Sequence, residues 1–549
     1  MFSKKHIFIL CIAAAFALLG RLYLPGLRAE EPRRAVVAQE MVFTGDFIVP
    51  HVGGWNYYNK PPLFNWVLAG LFKLFGSFSE VLVRLPGLIG LFLSAFFLYR
   101  MSRRYVSEET ALLSAFAMLA CGDMLFYATI YAGEIDLFHM GLVFAQAAVL
   151  FSEHRKGRFL SMFLWSYLLA AIGVLTKGLP SLLTQACTLL AILIYHGQWK
   201  MLFNWRHFAG IGLFFLVCGS YFYAYAQRSD VVVFLINLVK ESSQKSVAEA
   251  SAWKILPHLV TFWLQVFKIV LPWGFLMFFL FKKERWAQIK ANPLLMFSVL
   301  FVGSNILVYW ISPQTRDRYL YQFMPFLLLL LAWGYEQGKD NMPRSRMFWN
   351  GISAFLVGAA PLFFLSLPFI KPLWNHMDLP WLVMGVFLVL SLVVLIGFWR
   401  EKTHRLFWMI LCLLVIRMGY NYAVLPHHHK AFGPAEYIAH TAKMHELSGG
   451  EPIHYTGWVT TLPIDLELPV LPEVHTTLSL PTHMHHQLHY YLGRKTEQVF
   501  QFDAVPESGR FYIAKEVEIK DLKIGQPITP LYRFKISYDK SWMVMFRMP

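Results

Sequence analysis

Residues 28–66 read RAEEPRRAVVAQEMVFTGDFIVPHVGGWNYYNKPPLFNW. They follow directly on an apolar segment, residues 6–24. Within this one connection lie Glu30, Glu31, Arg33, Arg34, Glu40, Asp46 and Lys60. Ordinary connections are far shorter, and a long one carrying both charge signs is functional or disordered. Trp55, Tyr57, Tyr58 and Trp66 give this one aromatic anchors, so order is expected.

Outward from that loop the chain is very apolar. Of its 549 residues 57% are hydrophobic and only 15% charged, and the mean hydropathy is +0.47. A soluble domain carries about 25% charged residues. Apolar runs of about 18 or more residues recur, the pattern of membrane-crossing helices. The expected fold class is an all-α polytopic membrane protein of about 13 transmembrane helices. The first apolar segment has Lys4 and Lys5 ahead of it and Arg21 near its end, and is read as a retained span rather than a cleaved signal.

The formal net charge is +16. Much of it falls in short connections such as Arg103-Arg104, His154-Arg155-Lys156 and Lys282-Lys283. That is positive-inside topology rather than a nucleic-acid surface, so no nucleic-acid partner is expected. One register puts every Lys/Arg-rich connection on one side of the membrane. It puts the 28–81 loop, the 228–256 loop and the tail on the other. All five cysteines, Cys11, Cys121, Cys187, Cys218 and Cys412, sit in apolar segments, so no disulfide framework and no Cys-based metal site is suggested.

Two domains are expected. Residues 1–425 form the transmembrane part, with 28–81 as an outer loop bearing interfacial helices and 228–256 as a second outer loop. Residues 426–549 turn polar, with a helix near 433–446 and alternating segments at 452–459, 510–516 and 531–547. A small C-terminal α/β extramembrane domain is expected there.

The outward charges mix acids and bases. Glu30, Glu31, Arg33 and Arg34 leave span one; Glu134 and Asp136 open span four. Lys177 sits in VLTKGLP, Glu241 and Lys245 in NLVKESSQK, and Arg318 and Tyr319 in RDRYLYQF. Ionisable groups at membrane depth cost ~2.5–3.5 kcal/mol each on insertion scales and persist where they pair or line a cavity. Lysine and arginine suit phosphate. Carboxylates suit deprotonation of an attacking group or charge developing on a sugar. Together they point to group transfer from a lipid-linked phosphate donor.

The segments EEPRR, GDFIVP, YYNKPPLFNW, AGEIDLF, LTKG and RDRYL together resemble the superfamily C membrane glycosyltransferases, in the protein mannosyltransferase/aminoarabinose transferase (ArnT-like) branch. The resemblance implies an inverting transferase of the bacterial inner membrane, with its active site and C-terminal domain periplasmic. The implied partners are a polyprenyl (undecaprenyl) phosphate-linked sugar donor and a lipid A-like or other envelope acceptor. It implies Glu30, Glu31 and Asp136 as catalytic acids. It implies Arg33, Lys60 and Tyr319 as donor-phosphate contacts, and the outward-facing cations Lys245 and Arg318 are read as joining them. Two positions depart from the aminoarabinose pattern. Asn59 stands where Glu tends to precede the Lys-Pro, and Ser242 where His tends to follow Glu241. Those positions are associated with a bound divalent metal in the family, so a metal cofactor, the sugar and the acceptor stay open.

His427-His428-His429 and His483, His485, His486 and His489 form two histidine clusters. A metal site is one reading. A polar surface is the one favoured, because no Cys or tight carboxylate accompanies them. A rival class, a lipid or glycan transporter, predicts matching halves with broken helices, and no internal repeat is present to support it.

Overall fold

The computed structural model describes residues 2–243, 252–466, 474–481, 484–522, 528–537 and 540–549. Lys245 and His483 lie outside these residues. Contacts divide the chain into two compact units, and the division is not linear. The first comprises Met1–Leu22, Arg84–Cys218 and Ser242–His427, and the second Tyr23–Val83, Gly219–Glu241 and His428–Pro549.

Eight helices among the described residues are long and apolar enough to cross a membrane, or nine if the bent pair Ile255–Ile269 and Trp273–Phe279 is one span. The others that were expected are shorter or interrupted. The expected span 109–130 is a helix over Glu108–Leu119, a break at Ala120 and Cys121, and then a helical stretch from Gly122 that becomes a π turn over Met124–Ala128. The Gly122 amide leaves this ladder to donate to the Leu271 carbonyl at 2.7 Å. The expected span 319–336 begins as a 3-10 turn, Asp317–Phe323, and becomes the Met324–Gly338 helix at Pro325. Proline is well tolerated in a first helical turn because its missing N–H has no partner there anyway.

Apolar side chains fill the first unit, and its buried amides pair with one another. Gln146 donates to Gln185 at 2.7 Å, Gln185 to Ser166 at 2.8 Å and Asn305 to Thr188 at 2.9 Å. Such bonds satisfy groups that lipid cannot. The Glu80–Ser102 and Ile135–Arg155 helices cross where a Cβ on Gly141 would lie 3.3 Å from the Gly90 Cα, an approach that needs small residues.

The second unit gathers the charged loop and the tail. The Glu31–Thr44 helix packs on the Leu63–Phe75 helix and on the tail helix His486–Thr496. Between the two loop helices runs a tight hairpin, β1 (His51–Val52) and β2 (Trp55–Asn56). Gly53 and Gly54 turn it at φ +64° and +73°, the left-handed region that glycine enters without strain. The tail contributes β3 (Ile453–Tyr455), β4 (Val459–Leu466), β5 (Val474–Pro481), β6 (Phe511–Lys515), β7 (Pro530–Lys535) and β8 (Trp542–Arg547). Four of them form a sheet in the order β3-β6-β8-β7, with β3 and β6 parallel and the other pairs antiparallel, while β4 and β5 form a separate ribbon. The helix Pro434–Leu447 and strands β3, β6, β7 and β8 lie in the expected segments, while the β4–β5 ribbon falls outside them.

Candidate active site

In the second unit the site grows from one helix start. Glu30 is the N-cap of the Glu31–Thr44 helix, and Pro32 lies in its first turn. The i+3 and i+4 spacing then brings both arginines back over the cap. Arg33 reaches Glu30 Oε1 at 3.2 Å and Arg34 reaches Oε2 at 3.5 Å. Ala29, one residue earlier, has φ +51°, a left-handed conformation that strains a residue with a Cβ. Glu31 is fully buried, and its Oε2 accepts from the Arg28 amide at 3.1 Å. Within the helix start, Glu30 is the more accessible carboxylate, with 29% of its side chain exposed.

Donors at this helix start exceed the acceptors. Arg33 Nε, Arg34 Nε and Arg34 Nη1 are shielded from solvent without a hydrogen-bond partner among the described residues. The Arg34 guanidinium lies 5.4 Å from the centre of the buried Tyr57 ring. Burial opposes the Arg33 charge, but Tyr57, Glu30 and Glu241 outweigh it and hold the guanidinium firmly protonated. Burial raises the Tyr57 phenol, so it stays neutral.

Lys60 donates to both Glu241 oxygens at 2.5 Å. The loop is pinned around this pair from within the same unit. Asn237 donates to the Tyr58 carbonyl at 3.1 Å, and Asn56 to Ser229 at 2.8 Å. Asp46 accepts from the Ile48 and Val49 amides and from Arg228 at 2.9–3.1 Å. Those bonds outweigh burial and hold its carboxyl below the ordinary value.

The tail helix completes the frame. Its His489 lies 3.2 Å from Glu40, and both side chains are buried. Glu40 in turn accepts from the Gly53 and Gly54 amides at 2.6 and 3.1 Å, fixing the hairpin turn. Glu80 accepts from Tyr491 at 2.9 Å and Arg494 at 3.0 Å. One turn before His489, His486 carries an Nδ1 that is shielded and without a hydrogen-bond partner. Burial, then the neighbouring Arg33, His489, His485 and Arg34, hold that imidazole well below 6.5. The sequence contained a signal for it, since His486 and His489 have i, i+3 spacing.

The described histidines have other contacts. His485 caps its own helix by accepting from the Leu488 amide, and His429 bonds the Leu24 carbonyl. Among the described residues no group of three or more His, Cys, Asp or Glu could hold a metal ion. Around Lys60 the donor set is a poor fit as well. Glu241 turns both oxygens to Lys60, and Asn59 offers only an amide.

The first unit holds the other acids and bases. Lys177 donates to Asp136 Oδ1 at 2.7 Å, and Arg318 reaches Glu134 at 2.5 Å and Asp136 Oδ2 at 3.5 Å. Tyr319 presents its ring 5.0 Å from Lys177 Nζ. Asp136, Lys177, Arg318 and Tyr319 therefore meet one another, in a unit other than that of Glu30, Glu31, Arg33 and Lys60.

Comparison with known proteins agrees with this architecture. Residues 59–223 match the family model described as dolichyl-phosphate-mannose-protein mannosyltransferase. The fold is that of ArnT from Cupriavidus metallidurans bound to undecaprenyl phosphate, with a TM-score of 0.69 over 99% of this chain and 98% of that one at 16% identity. An undecaprenyl phosphate-alpha-4-amino-4-deoxy-L-arabinose arabinosyl transferase of Pectobacterium atrosepticum is 25% identical over 337 residues, 59% of this chain and 58% of that protein. A protein of Aquifex aeolicus is 24% identical over 61% of this chain and 81% of its own length. The arabinosyl transferases of Pectobacterium and Edwardsiella ictaluri are thus matched over 58% and 62% of their length. The chain is thus a multi-pass membrane protein whose sequence and fold are similar to those of ArnT-like glycosyltransferases.

Proposed function

We propose that the protein is an inverting glycosyltransferase. It moves a sugar from a polyprenyl-phosphate donor to a lipid A-like or other envelope acceptor, at the periplasmic face of a bacterial inner membrane. One observation carries the reading. An accessible carboxylate, Glu30, stands at a helix start beside two arginines, of which Arg33 Nε, Arg34 Nε and Arg34 Nη1 have no hydrogen-bond partner among the described residues, and Lys60 belongs to the same unit.

In this reading Lys60 and Arg33 take the donor phosphate, Lys60 turning from Glu241 toward it. As the bond from the anomeric carbon to phosphate breaks, its electron pair leaves with the phosphate, and the cations stabilise that charge. The acceptor oxygen attacks the opposite face of the anomeric carbon. If it is a hydroxyl, Glu30 takes its proton. If it is a phosphate oxygen, no proton moves and Glu30 orients the acceptor. Glu31 supports the helix start. Asp136 and Tyr319 are assigned to the reaction by resemblance, and Arg318 and Lys245 by the charge they carry on the outer face. A sugar such as 4-amino-4-deoxy-L-arabinose is supported by the names of the arabinosyl transferase relatives. The mannosyltransferase family model favours a second reading, in which a protein hydroxyl is the acceptor.

The test uses the full chain reconstituted in vesicles with undecaprenyl phosphate-linked sugars. Lys60→Ala is expected to lower transfer by about 10²–10³-fold, and near-normal turnover overturns the phosphate assignment. Mass spectrometry of lipid A and of envelope proteins, with and without the gene, identifies the acceptor.

A further inference from the structure

At one end of the first unit the ends of several helices enclose a cavity of about 340 Å³ that the transfer reaction does not use. Its rim is basic. Arg155 ends the Ile135–Arg155 span, and Lys290 lies in the last turn of the Lys283–Ala291 helix. His154 and His196 lie between them with ring centres 4.6 Å apart. Among the described residues no carboxylate lines the cavity. Its floor is apolar: Phe151 and Phe297 meet at 5.1 Å, and Met296 and Leu300 continue it.

Sequence position gives the depth. Leu300 is seven residues inside a membrane-crossing helix that starts at Pro293, which is about 10 Å of rise. The rim residues sit where that helix and the Ile135–Arg155 span end. Tyr195 on the wall and Trp286, its ring 5.3 Å from Lys290 Nζ, are aromatics of the kind that gather at membrane interfaces. A cationic rim at headgroup level above an apolar floor complements an amphiphilic anion. A soluble phosphate compound would find the same cations, but the floor would give it nothing.

We infer that this cavity is a binding site for an anionic phospholipid of the surrounding bilayer, its phosphodiester between Arg155 and Lys290 and the first methylenes of an acyl chain against Phe297 and Leu300. The site is independent of the transfer chemistry. It also assigns a role to two cations that topology alone would explain.

The experiment is native mass spectrometry of the full chain in detergent, titrated with dioleoylphosphatidylglycerol or dioleoylphosphatidylcholine. Wild type is expected to retain the anionic lipid preferentially. Arg155→Ala with Lys290→Ala should weaken retention by roughly thirtyfold, from two interfacial cations. Arg103→Ala with Arg104→Ala removes two basic residues elsewhere and should leave it unchanged. Equal retention of both lipids by wild type overturns the site, as does equal loss in the two double variants. Displacement of the anionic lipid by millimolar inorganic phosphate also overturns it, in favour of a soluble phosphate ligand. Should the first double variant fail to fold, Leu300→Trp fills the floor with the charges intact. It must also lose the lipid, and unchanged retention overturns the proposal.

Discussion

Two ionic clusters, one in each unit, use the same residue types and end in opposite states. Around Asp136 two acids face two bases, and their side chains are at most 12% exposed. Around Glu30 one acid faces two arginines, with 29% of the acid and 26% of Arg33 exposed and three guanidinium nitrogens without a partner. A closed, neutral network holds a fold together. A helix start with surplus donors and an accessible carboxylate is arranged to receive something from outside. Residue type alone does not separate these cases; charge balance and exposure do, since Arg318 Nε in the first cluster also lacks a hydrogen-bond partner among the described residues.

The comparison breaks most directly at Glu30. With a hydroxyl acceptor Glu30→Gln is expected to lower transfer by about 10²–10⁴-fold, the range for loss of a general base, and with a phosphate acceptor by less, in both cases with the thermal midpoint nearly unchanged. A large fall in the midpoint would make Glu30 a structural residue like Asp136. In the closed network the expectation inverts. Asp136→Ala leaves Lys177 without its carboxylate and Arg318 with one fewer, and should reduce stability by about 3–5 kcal/mol, read from the thermal midpoint in detergent. An unaltered midpoint with lost transfer would move Asp136 into the reacting machinery.

A smaller effect sharpens the open site. His486 is held neutral below its ordinary 6.5, so the unfolded chain takes up a proton that the folded chain does not. Stability is then complete above about pH 6.5 and declines as pH falls through that value toward the lower folded pKa. His486→Gln should remove that share of the decline. Midpoints measured between about pH 7.5 and 5 for both proteins check it, and parallel profiles would show that His486 is not held neutral.

Much of this was legible in the chain. Hydropathy announced a multi-pass membrane protein, and the ionic pattern of residues 30–34 follows from spacing once Pro32 opens a helix. The tail's helix and four of its strands lie where the pattern placed them, and the β4–β5 ribbon does not. Less legible was the number of full spans, because the helix breaks at Ala120-Cys121 and before Pro325 fall inside apolar runs that a hydropathy window averages over. Nor could spacing show that Lys60 meets Glu241, 181 residues away, or that His489 meets Glu40.

The opening loop illustrates the division. Sequence determined its charges, its aromatic anchors and the helix that stacks Arg33 and Arg34 over Glu30, because those depend on neighbours three and four residues apart. Tertiary structure decided the rest. It gave Glu40 to the Gly53-Gly54 turn, brought the His486–Thr496 helix of the tail against the loop, and balanced acids with bases around Asp136 while setting two arginines against the accessible Glu30. Which buried charge finds a partner depends on chain segments hundreds of residues apart, and periodicity carries no information about them.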